Sequence, residues 1–184
     1  MKSQQQVMKP QDVFILLKIS CLEDKSWQQR SIAKELFMSQ SEISESVNRS
    51  KYAGLLDYSG KKVMKLAFLE FLKFGISYVF PQRPGQIVRG IPTAHSAPPL
   101  NNIIQSEEKY VWPSAKGNTR GQSIIPLYKS VPNAIINDQK LYELLALVDA
   151  VRVGRAREKE IALNEIKRRI MNENNNSNDA EMIL

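Results

Sequence analysis

Residues 27–44 read WQQRSIAKELFMSQSEIS, and this stretch determines the fold expected for the first third of the chain. Ile32, Ala33 and Leu36 recur at the spacing that places side chains on one face of a helix. From Ser39 the sequence SQSE matches the capping box S-x-x-E, in which a serine and a glutamate side chain satisfy the first free amides of a new helix. The sequence therefore predicts two helices joined by a two-residue turn, which is the helix-turn-helix pattern.

Further apolar helices are predicted on both sides of this motif. Residues 12–19, DVFILLKI, form a mostly apolar helix before it, and the capped helix continues until Gly54, a residue type that commonly ends helices. Residues 63–72, VMKLAFLEFL, are apolar almost all the way round a helix, so more than one face must be buried. Two explanations stay open for this last helix: it forms a dimer interface, or it is a core helix beneath the proline-rich middle of the chain.

These elements together resemble the winged helix-turn-helix domain of the MarR-like bacterial regulators. The resemblance is carried by the Ile32-Ala33 pair, by the helix that starts after a serine at position 39, and by YAGLL at residues 52–56, and it covers about residues 10–60. It implies a winged helix-turn-helix DNA-binding domain and a transcriptional regulator, either a repressor or an autoregulator. One departure concerns the wing, because SGKK at residues 59–62 leads directly into the next helix. We therefore expect a vestigial β-hairpin.

The face of the capped helix that would meet DNA follows from helix geometry. At about 100° per residue, Ile43, Val47 and Ser50 share one face, which must pack on the preceding helices. The opposite face is polar and carries the candidates for base contacts in the major groove: Gln40, Ser41, Ser44, Glu45 and Asn48. Basic residues near this face are the candidates for phosphate contacts: Arg30, Arg49, Lys51, Lys61 and Lys62. The alternative is that these polar side chains form only a solvated helix face.

Composition and charge narrow the class of function. The 184 residues include 26 Lys and Arg against 19 Asp and Glu, a net charge of +7 that favours an anionic partner such as nucleic acid. A single cysteine, Cys21, and a single histidine, His95, exclude a disulfide framework, a thiolate zinc site and a histidine-rich metal cluster built from this sequence. No phosphate-binding loop, dinucleotide fingerprint or nucleophile elbow occurs in it. We therefore expect no enzyme activity, no catalytic residue, no metal and no cofactor.

Proline and charge divide the chain into four predicted parts. Eight of the nine prolines fall between Pro81 and Pro132, so that stretch cannot be one continuous helix. The four parts are a helix-turn-helix domain with a following helix at residues 1–75, an extended proline-rich or β region at 76–135, a helical pair at 136–172 and a disordered tail at 173–184. Short strands are expected in the middle part at residues 77–81, 86–92, 110–113 and 121–126. The predicted fold class is mainly α with a small, irregular β region.

The carboxy-terminal helical pair carries a second candidate site. Its first helix has an apolar stripe at Leu141, Leu144, Leu145, Val148 and Val151. Charged residues cluster around the glycine that separates the two helices: Asp149, Arg152, Arg155 and Arg157. Such a cluster could bind an effector or a partner through phosphate or carboxylate groups, or it could be a local network of salt bridges.

The function expected from these features is sequence-specific binding of double-stranded DNA by a homodimer that regulates transcription. The alternative is an antitoxin-like interaction module that neutralises or scaffolds a protein partner through its carboxy-terminal half. Residues 1–9 are polar and no apolar run is long enough to span a bilayer. We therefore expect a cytoplasmic protein with no targeting segment and no membrane partner.

Overall fold

The computed structural model of the protein describes residues 6–22 and 26–172, and the predicted tail at 173–184 lies outside them. Within these residues the chain is mainly helical with one small three-stranded sheet, so the expected coarse class is confirmed. The helices are α1 Pro10–Cys21, α2 Gln29–Leu36, α3 Gln40–Tyr52, α4 Lys65–Phe74, α5 Ile76–Val79, α6 Val131–Ala134, α7 Gln139–Val153 and α8 Ala156–Met171. The strands are β1 Ile87–Pro92, β2 Tyr110–Pro113 and β3 Thr119–Ser123. Among the described residues, no helix has the length and apolarity required to cross a membrane.

The first three helices pack on one another. Every residue of α1 from Asp12 to Ile19 is buried, and α1 contacts α2, α3 and α7. The capping box of α3 is formed as predicted, because the Glu42 amide donates to Ser39 Oγ (3.2 Å) and the Ser39 amide donates to Glu42 Oε2 (2.9 Å). Phe37 ends α2 in the left-handed conformation, with a φ of 54°, and this residue turns the chain towards α3.

A short hairpin connects α3 to α4. Its strand pairing is one antiparallel bridge between Leu56 and Val63, a reduced hairpin of the kind expected from the sequence, and α4 begins two residues later. Gly54 and Gly60 have positive φ angles of 73° and 71°, which glycine adopts without steric strain. The chain therefore leaves α3 and reverses at the hairpin tip through these two glycines.

Residues 87–123 contain the small sheet, in which each strand pairs with the other two. Strand β1 is antiparallel to both β2 and β3, and β2 is parallel to β3. Gly90 allows the close approach of β2, since a Cβ atom at this position would lie 2.1 Å from the Trp112 carbonyl oxygen. Three of the four predicted strand segments overlap these observed strands.

The fourth predicted strand is a helix. The sequence predicts extended structure at residues 77–81, but Ile76–Val79 form the single-turn helix α5. Ile76 is buried, and the Ser77 hydroxyl donates to the Val151 carbonyl oxygen in α7 (2.9 Å). Packing against α7 therefore overrides the local preference of the aromatic and β-branched residues for a strand.

Helix α7 lies at the centre of the fold. It contacts α1, α4, α5, α8 and the single-turn 3-10 helix at Ala94–Ser96. The apolar stripe predicted for this helix is too narrow, because Ala146, Leu147 and Ala150 on its other faces are buried as well. Buried residues from all three predicted ordered parts of the chain meet around α7 in one hydrophobic core.

The charged residues that α7 buries are paired. Asp149 accepts hydrogen bonds from Thr93 Oγ1 (2.8 Å), Trp112 Nε1 (2.6 Å) and Arg152 Nη1 (2.9 Å). Burial raises the pKa of Asp149, while the charge of Arg152 and the three hydrogen bonds act in the opposite direction. Arg152 Nε also donates to the Phe80 carbonyl oxygen (3.0 Å). These bonds attach the sheet and the end of α5 to α7.

Helix α4 is covered on one side. Phe68 and Leu72 are fully buried, and the helix packs against α5, α7 and α8. On the other side, Leu66 and Phe74 are 69% and 65% exposed. Burial in the core therefore explains one apolar face of α4. The other face has no packing partner within the described part of the chain.

Candidate nucleic-acid interface

The polar face of α3 is exposed over most of its length. The residues predicted to contact bases lie on this face: Gln40, Ser41, Glu45 and Asn48, which are exposed, and Ser44, which is half-buried. The opposite face is buried at Ile43, Val47 and Ser50, as the helical spacing predicts. The five candidates for base contacts therefore form one continuous surface.

The hairpin is attached to the start of α2 by Trp27 and Lys61. The Trp27 indole Nε1 donates to the Lys61 carbonyl oxygen, and Lys61 Nζ donates to the Trp27 carbonyl oxygen, both at 2.9 Å. The Lys61 ammonium also lies 4.3 Å from the centroid of the Trp27 ring, within the range of a favourable cation–π contact. Lys62, which follows, and Arg30, in the first turn of α2, are exposed. Three of the predicted phosphate-contacting residues are thus brought to one region of the surface.

The hairpin tip packs directly against α3. A Cβ atom on Gly60 would lie 3.0 Å from Lys51 Cδ and 3.1 Å from Val47 Cγ1. The exposed Lys51 ammonium lies 5.7 Å from the centroid of the Tyr58 ring in the hairpin. Lys51 and the hairpin lysines therefore border the polar face of α3 on the same side.

Asp57 holds the conformation of the hairpin tip. Its Oδ1 atom accepts from the amides of Lys61 and Lys62, each at 2.9 Å, and its Oδ2 atom accepts from the Ser59 hydroxyl (2.7 Å). The bond from the Lys62 amide, followed by the bond from Ser59, lowers the pKa of Asp57 from 3.8 to about 2. An ionised carboxylate thus keeps the two lysine backbones in place while their side chains stay exposed.

Arg49 belongs to the core of the three-helix unit, which corrects the expectation that it contacts phosphate. Its guanidinium forms a bidentate ion pair with Asp12 in α1, with Nε–Oδ2 and Nη2–Oδ1 distances of 2.9 and 2.8 Å. Asp12 is fully buried, and Arg49 is 9% exposed. A buried carboxylate is stable only when it is paired. Arg49 is therefore engaged within the protein and is not presented to a ligand.

A segment from the middle of the chain reaches the first turn of α3. The Tyr128 hydroxyl donates to Glu42 Oε1, and the Tyr128 ring packs on Phe14 of α1 with ring centroids 6.4 Å apart. The bond from Tyr128, followed by the bonds from Ser39, lowers the pKa of Glu42. The same bond to Glu42 raises the pKa of Tyr128 to about 12. The capping residue of α3 is therefore held from outside the helix-turn-helix as well as from within it.

The residues of the second candidate site differ in burial. Asp149 and Arg152 are buried and bonded to each other (2.9 Å), which fits a local salt bridge, the second of the two explanations open from the sequence. Arg155 and Arg157 are exposed at the start of α8. The four residues thus do not form one shared ligand surface.

A cleft of about 550 Å³ lies between α2 and the connection from α6 to α7. Lys18 lines it and forms salt bridges with Glu35 (2.5 Å) and Asp138 (2.7 Å). Burial disfavours the charged form of Lys18, but the hydrogen bonds that its ammonium donates to Asp138 and Glu35, together with the charges of these carboxylates, outweigh this effect and raise the pKa of Lys18. Because Lys18 is already paired with both carboxylates, the three residues serve to join α1, α2 and the start of α7.

His95 has structural partners. It is buried, with Nε2 lying 2.8 Å from the Glu108 carbonyl oxygen, and the neighbouring Ser96 hydroxyl accepts from the Tyr110 amide (2.9 Å). Within the described ranges, no group of three or more histidine, cysteine, aspartate or glutamate residues is arranged to hold a metal ion.

No protein-family model, curated protein or solved structure matches this chain.

Two contacts of this surface are not visible in the sequence. Tyr128 lies 86 positions from its partner Glu42, and Trp27 lies 34 positions from Lys61. Neither residue belongs to a motif. The sequence signals that could have pointed to them are weak: an aromatic residue directly before the helix-turn-helix, and a tyrosine next to a lysine in the proline-rich part.

We expect Arg49→Ala to lower the free energy of unfolding by about 3–5 kcal/mol, because it leaves the Asp12 carboxylate buried without its ion-pair partner. Urea denaturation at neutral pH measures this change. Lys51→Ala is the matched control: it removes one positive charge from an exposed position of the same helix and should change stability by less than about 0.5 kcal/mol. Equal stabilities of the two variants would contradict the structural role of Arg49.

We expect Tyr128→Phe to lower the free energy of unfolding by about 1 kcal/mol at neutral pH, because Glu42 loses a hydrogen bond. Since the pKa of Glu42 in the folded protein lies below its ordinary value of 4.5, this contribution is present above that value and is lost as the pH falls through the folded pKa. The difference in the free energy of unfolding between wild type and variant should therefore be smaller in acid. Urea denaturation at about pH 7 and about pH 3.5 measures this difference.

Tyr142→Phe controls for the removal of a tyrosine hydroxyl. The Tyr142 hydroxyl donates to the Pro92 carbonyl oxygen (2.7 Å), and burial raises the pKa of Tyr142 to about 12. Because no carboxylate is involved, its stability loss should be the same at both pH values. If the stability loss of Tyr128→Phe were the same at both pH values, the bond from Tyr128 to Glu42 would not contribute to stability.

Proposed function

We propose that this protein binds double-stranded DNA through α3, as a winged helix-turn-helix regulator of transcription that acts as a homodimer. The observation that carries the proposal is the continuous, exposed polar face of α3, bordered by exposed lysines of α3 and the hairpin. Amide and hydroxyl side chains bond to base edges in the major groove, and lysines bind phosphates. The net charge of +7 adds attraction that does not depend on DNA sequence.

The candidates for base contacts on α3 are assigned to base edges by the chemistry of their side chains. Gln40 and Asn48 can each form two hydrogen bonds with adenine, and Glu45 can accept a hydrogen bond from cytosine. The remaining contacts to base edges come from two hydroxyls, those of Ser41 and Ser44. Phosphate contacts are assigned to Arg30, Lys51, Lys61 and Lys62, without Arg49. Such contacts set affinity and register, while the base contacts set specificity.

The proposed dimer interface is the exposed stripe of α4 and α5. It includes Leu66, Phe74 and Tyr78, of which Tyr78 is 84% exposed, together with the exposed charges Glu70 and Lys73. In an antiparallel arrangement of two α4 helices about a two-fold axis near positions 71–72, Glu70 of each copy faces Lys73 of the other. The apolar residues and the opposite charges of the stripe are therefore complementary to a second copy of the same surface.

A homodimer of this kind would read a palindromic DNA site. Two copies of α3 related by a two-fold axis enter successive major grooves when they are about 34–36 Å apart. The proposal that the regulator acts as a repressor or an autoregulator rests on the resemblance of residues 10–60 to MarR-like regulators.

DNA binding is tested by fluorescence anisotropy with a duplex from the region upstream of the protein's own gene and with a scrambled duplex of the same length. Affinity for the upstream duplex should exceed that for the scrambled duplex by about 10³-fold or more. Asn48→Ala should lower affinity for the upstream duplex by about tenfold or more, because a good pair of hydrogen bonds to a base contributes about 1–3 kcal/mol. Its affinity for the scrambled duplex should change little.

The control for Asn48→Ala is Asn101→Ala, which removes an exposed asparagine side chain outside α1–α3. It should bind both duplexes like the wild type. Equal wild-type affinities for the two duplexes would refute sequence-specific recognition, and an unchanged Asn48→Ala variant would refute the assigned face of α3.

We expect Leu66→Asp to convert the dimer to a monomer of 21.0 kDa, because the new charge enters the proposed apolar contact, while the side chain is exposed within one copy. Light scattering coupled to size-exclusion chromatography measures the mass. Ile125→Asp is the matched control, since Ile125 is also an exposed apolar residue, at 66%, and it should leave the dimer intact. A monomeric wild-type protein would contradict the homodimer. The exposed stripe of α4 and α5 would then be assigned to contact with a different protein, as in the interaction-module alternative.

A further inference from the structure

Residues 127–131, here called the clamp segment, are fixed against the first three helices. Leu127 and Val131 are buried, and the Ser130 hydroxyl donates to the Leu36 carbonyl oxygen at the end of α2 (2.6 Å). Tyr128 adds its stacking contact with α1 and its hydrogen bond to α3. Four of the five residues of the clamp segment are thus anchored by packing or by hydrogen bonds.

Lys129 is the exposed residue of the clamp segment. Its ammonium group lies 5.9 Å from the centroid of the Tyr128 ring, and the hydroxyl of that ring donates to Glu42 in the first turn of α3. The Glu42 carboxylate accepts its hydrogen bonds from Ser39 and Tyr128. The contact of Lys129 with the Tyr128 ring uses the charge of the ammonium and not its hydrogen-bond donors, so these donors stay available for a partner outside the protein.

Basic side chains border the polar face of α3 on both sides. At about 100° per residue, Glu42 and Lys51 lie on opposite flanks of the exposed face that contains Asn48. The hairpin packs on the Lys51 flank, and Lys129 lies on the Glu42 flank. These two flanks are built by parts of the chain that are far apart in sequence.

We propose that Lys129 binds a phosphate of the DNA strand opposite the one that the hairpin lysines contact. A helix with its side chains is about 10–12 Å across and the major groove is about 12 Å wide, so groups on the two flanks of an inserted helix face phosphates of different strands. The partner is identified by charge complementarity between an exposed ammonium and the phosphate backbone. The inference rests on the proposed DNA-binding function and extends the interface to the clamp segment.

The test compares the salt dependence of DNA binding for the full-length wild type and Lys129→Ala. The probe is a fluorescein-labelled duplex of mixed sequence, about 30 base pairs long, titrated at salt concentrations from about 50 to 200 mM. Loss of one phosphate contact should make the slope of log K against log salt shallower by about 0.9 per protomer bound. Lys129→Arg keeps the charge and should keep the wild-type slope.

Lys109→Ala is the matched control, because it removes one exposed lysine charge next to the sheet and should leave the slope unchanged. Two results overturn the assignment of Lys129 while DNA binding itself stands: a wild-type slope for Lys129→Ala, or equal reductions for Lys129→Ala and Lys109→Ala. Failure of the wild type to bind the duplex at about 50 mM salt overturns the proposed function and the inference together.

Discussion

The constraint on which the rest of the structure depends is the burial of α7 on nearly all of its sides. Leu147, Val148 and Ala150 are fully buried, so other elements must cover several faces of this helix. The elements that do so come from the whole chain: α1, α4, α5, α8 and the 3-10 helix at Ala94–Ser96. Because Asp149 is buried among them, its carboxylate requires the three donors that Thr93, Trp112 and Arg152 supply. The proline-rich middle is thereby held to the helical core by polar bonds as well as by apolar packing.

Helix α1 connects the core around α7 to the candidate interface. Helix α1 is buried between α7 and the pair α2–α3, and it carries both Lys18 and Asp12. Lys18 joins it to the N-cap residue of α7, Asp138, and Asp12 joins it to Arg49 of α3. Two separate ion pairs on α1 therefore fix α3 on its buried side: Asp12 binds Arg49 of α3, and Lys18 binds the start of α7. The polar face of α3 stays exposed. The proposed DNA-binding role of α3 requires rigid support of this kind, because base readout depends on the register of the helix in the groove.

The surface around α3 is assembled from three separated parts of the sequence. The helix-turn-helix supplies the polar face, the hairpin supplies Lys61 and Lys62, and the clamp segment supplies Tyr128 and Lys129. The hairpin is held by Trp27, and the clamp segment is held by Leu36 and Glu42. These contacts fix the elements that border α3 on both sides, so the surface proposed to bind DNA is formed before binding and does not have to be ordered by it.

The sequence by itself determined features encoded by neighbouring positions: the faces of α3, its capping box at Ser39, the glycine that ends α3, and the coarse fold class. These depend on helical spacing and on backbone conformation, which act over a few residues. Only the tertiary structure decided which long side chains form ion pairs within the protein. Arg49 and Lys51 are both basic residues near the end of one helix, yet Arg49 pairs with a buried carboxylate 37 positions away and Lys51 stays exposed. The partner of a long, flexible side chain is set by which groups burial brings within reach, and burial depends on the packing of the whole chain around α7.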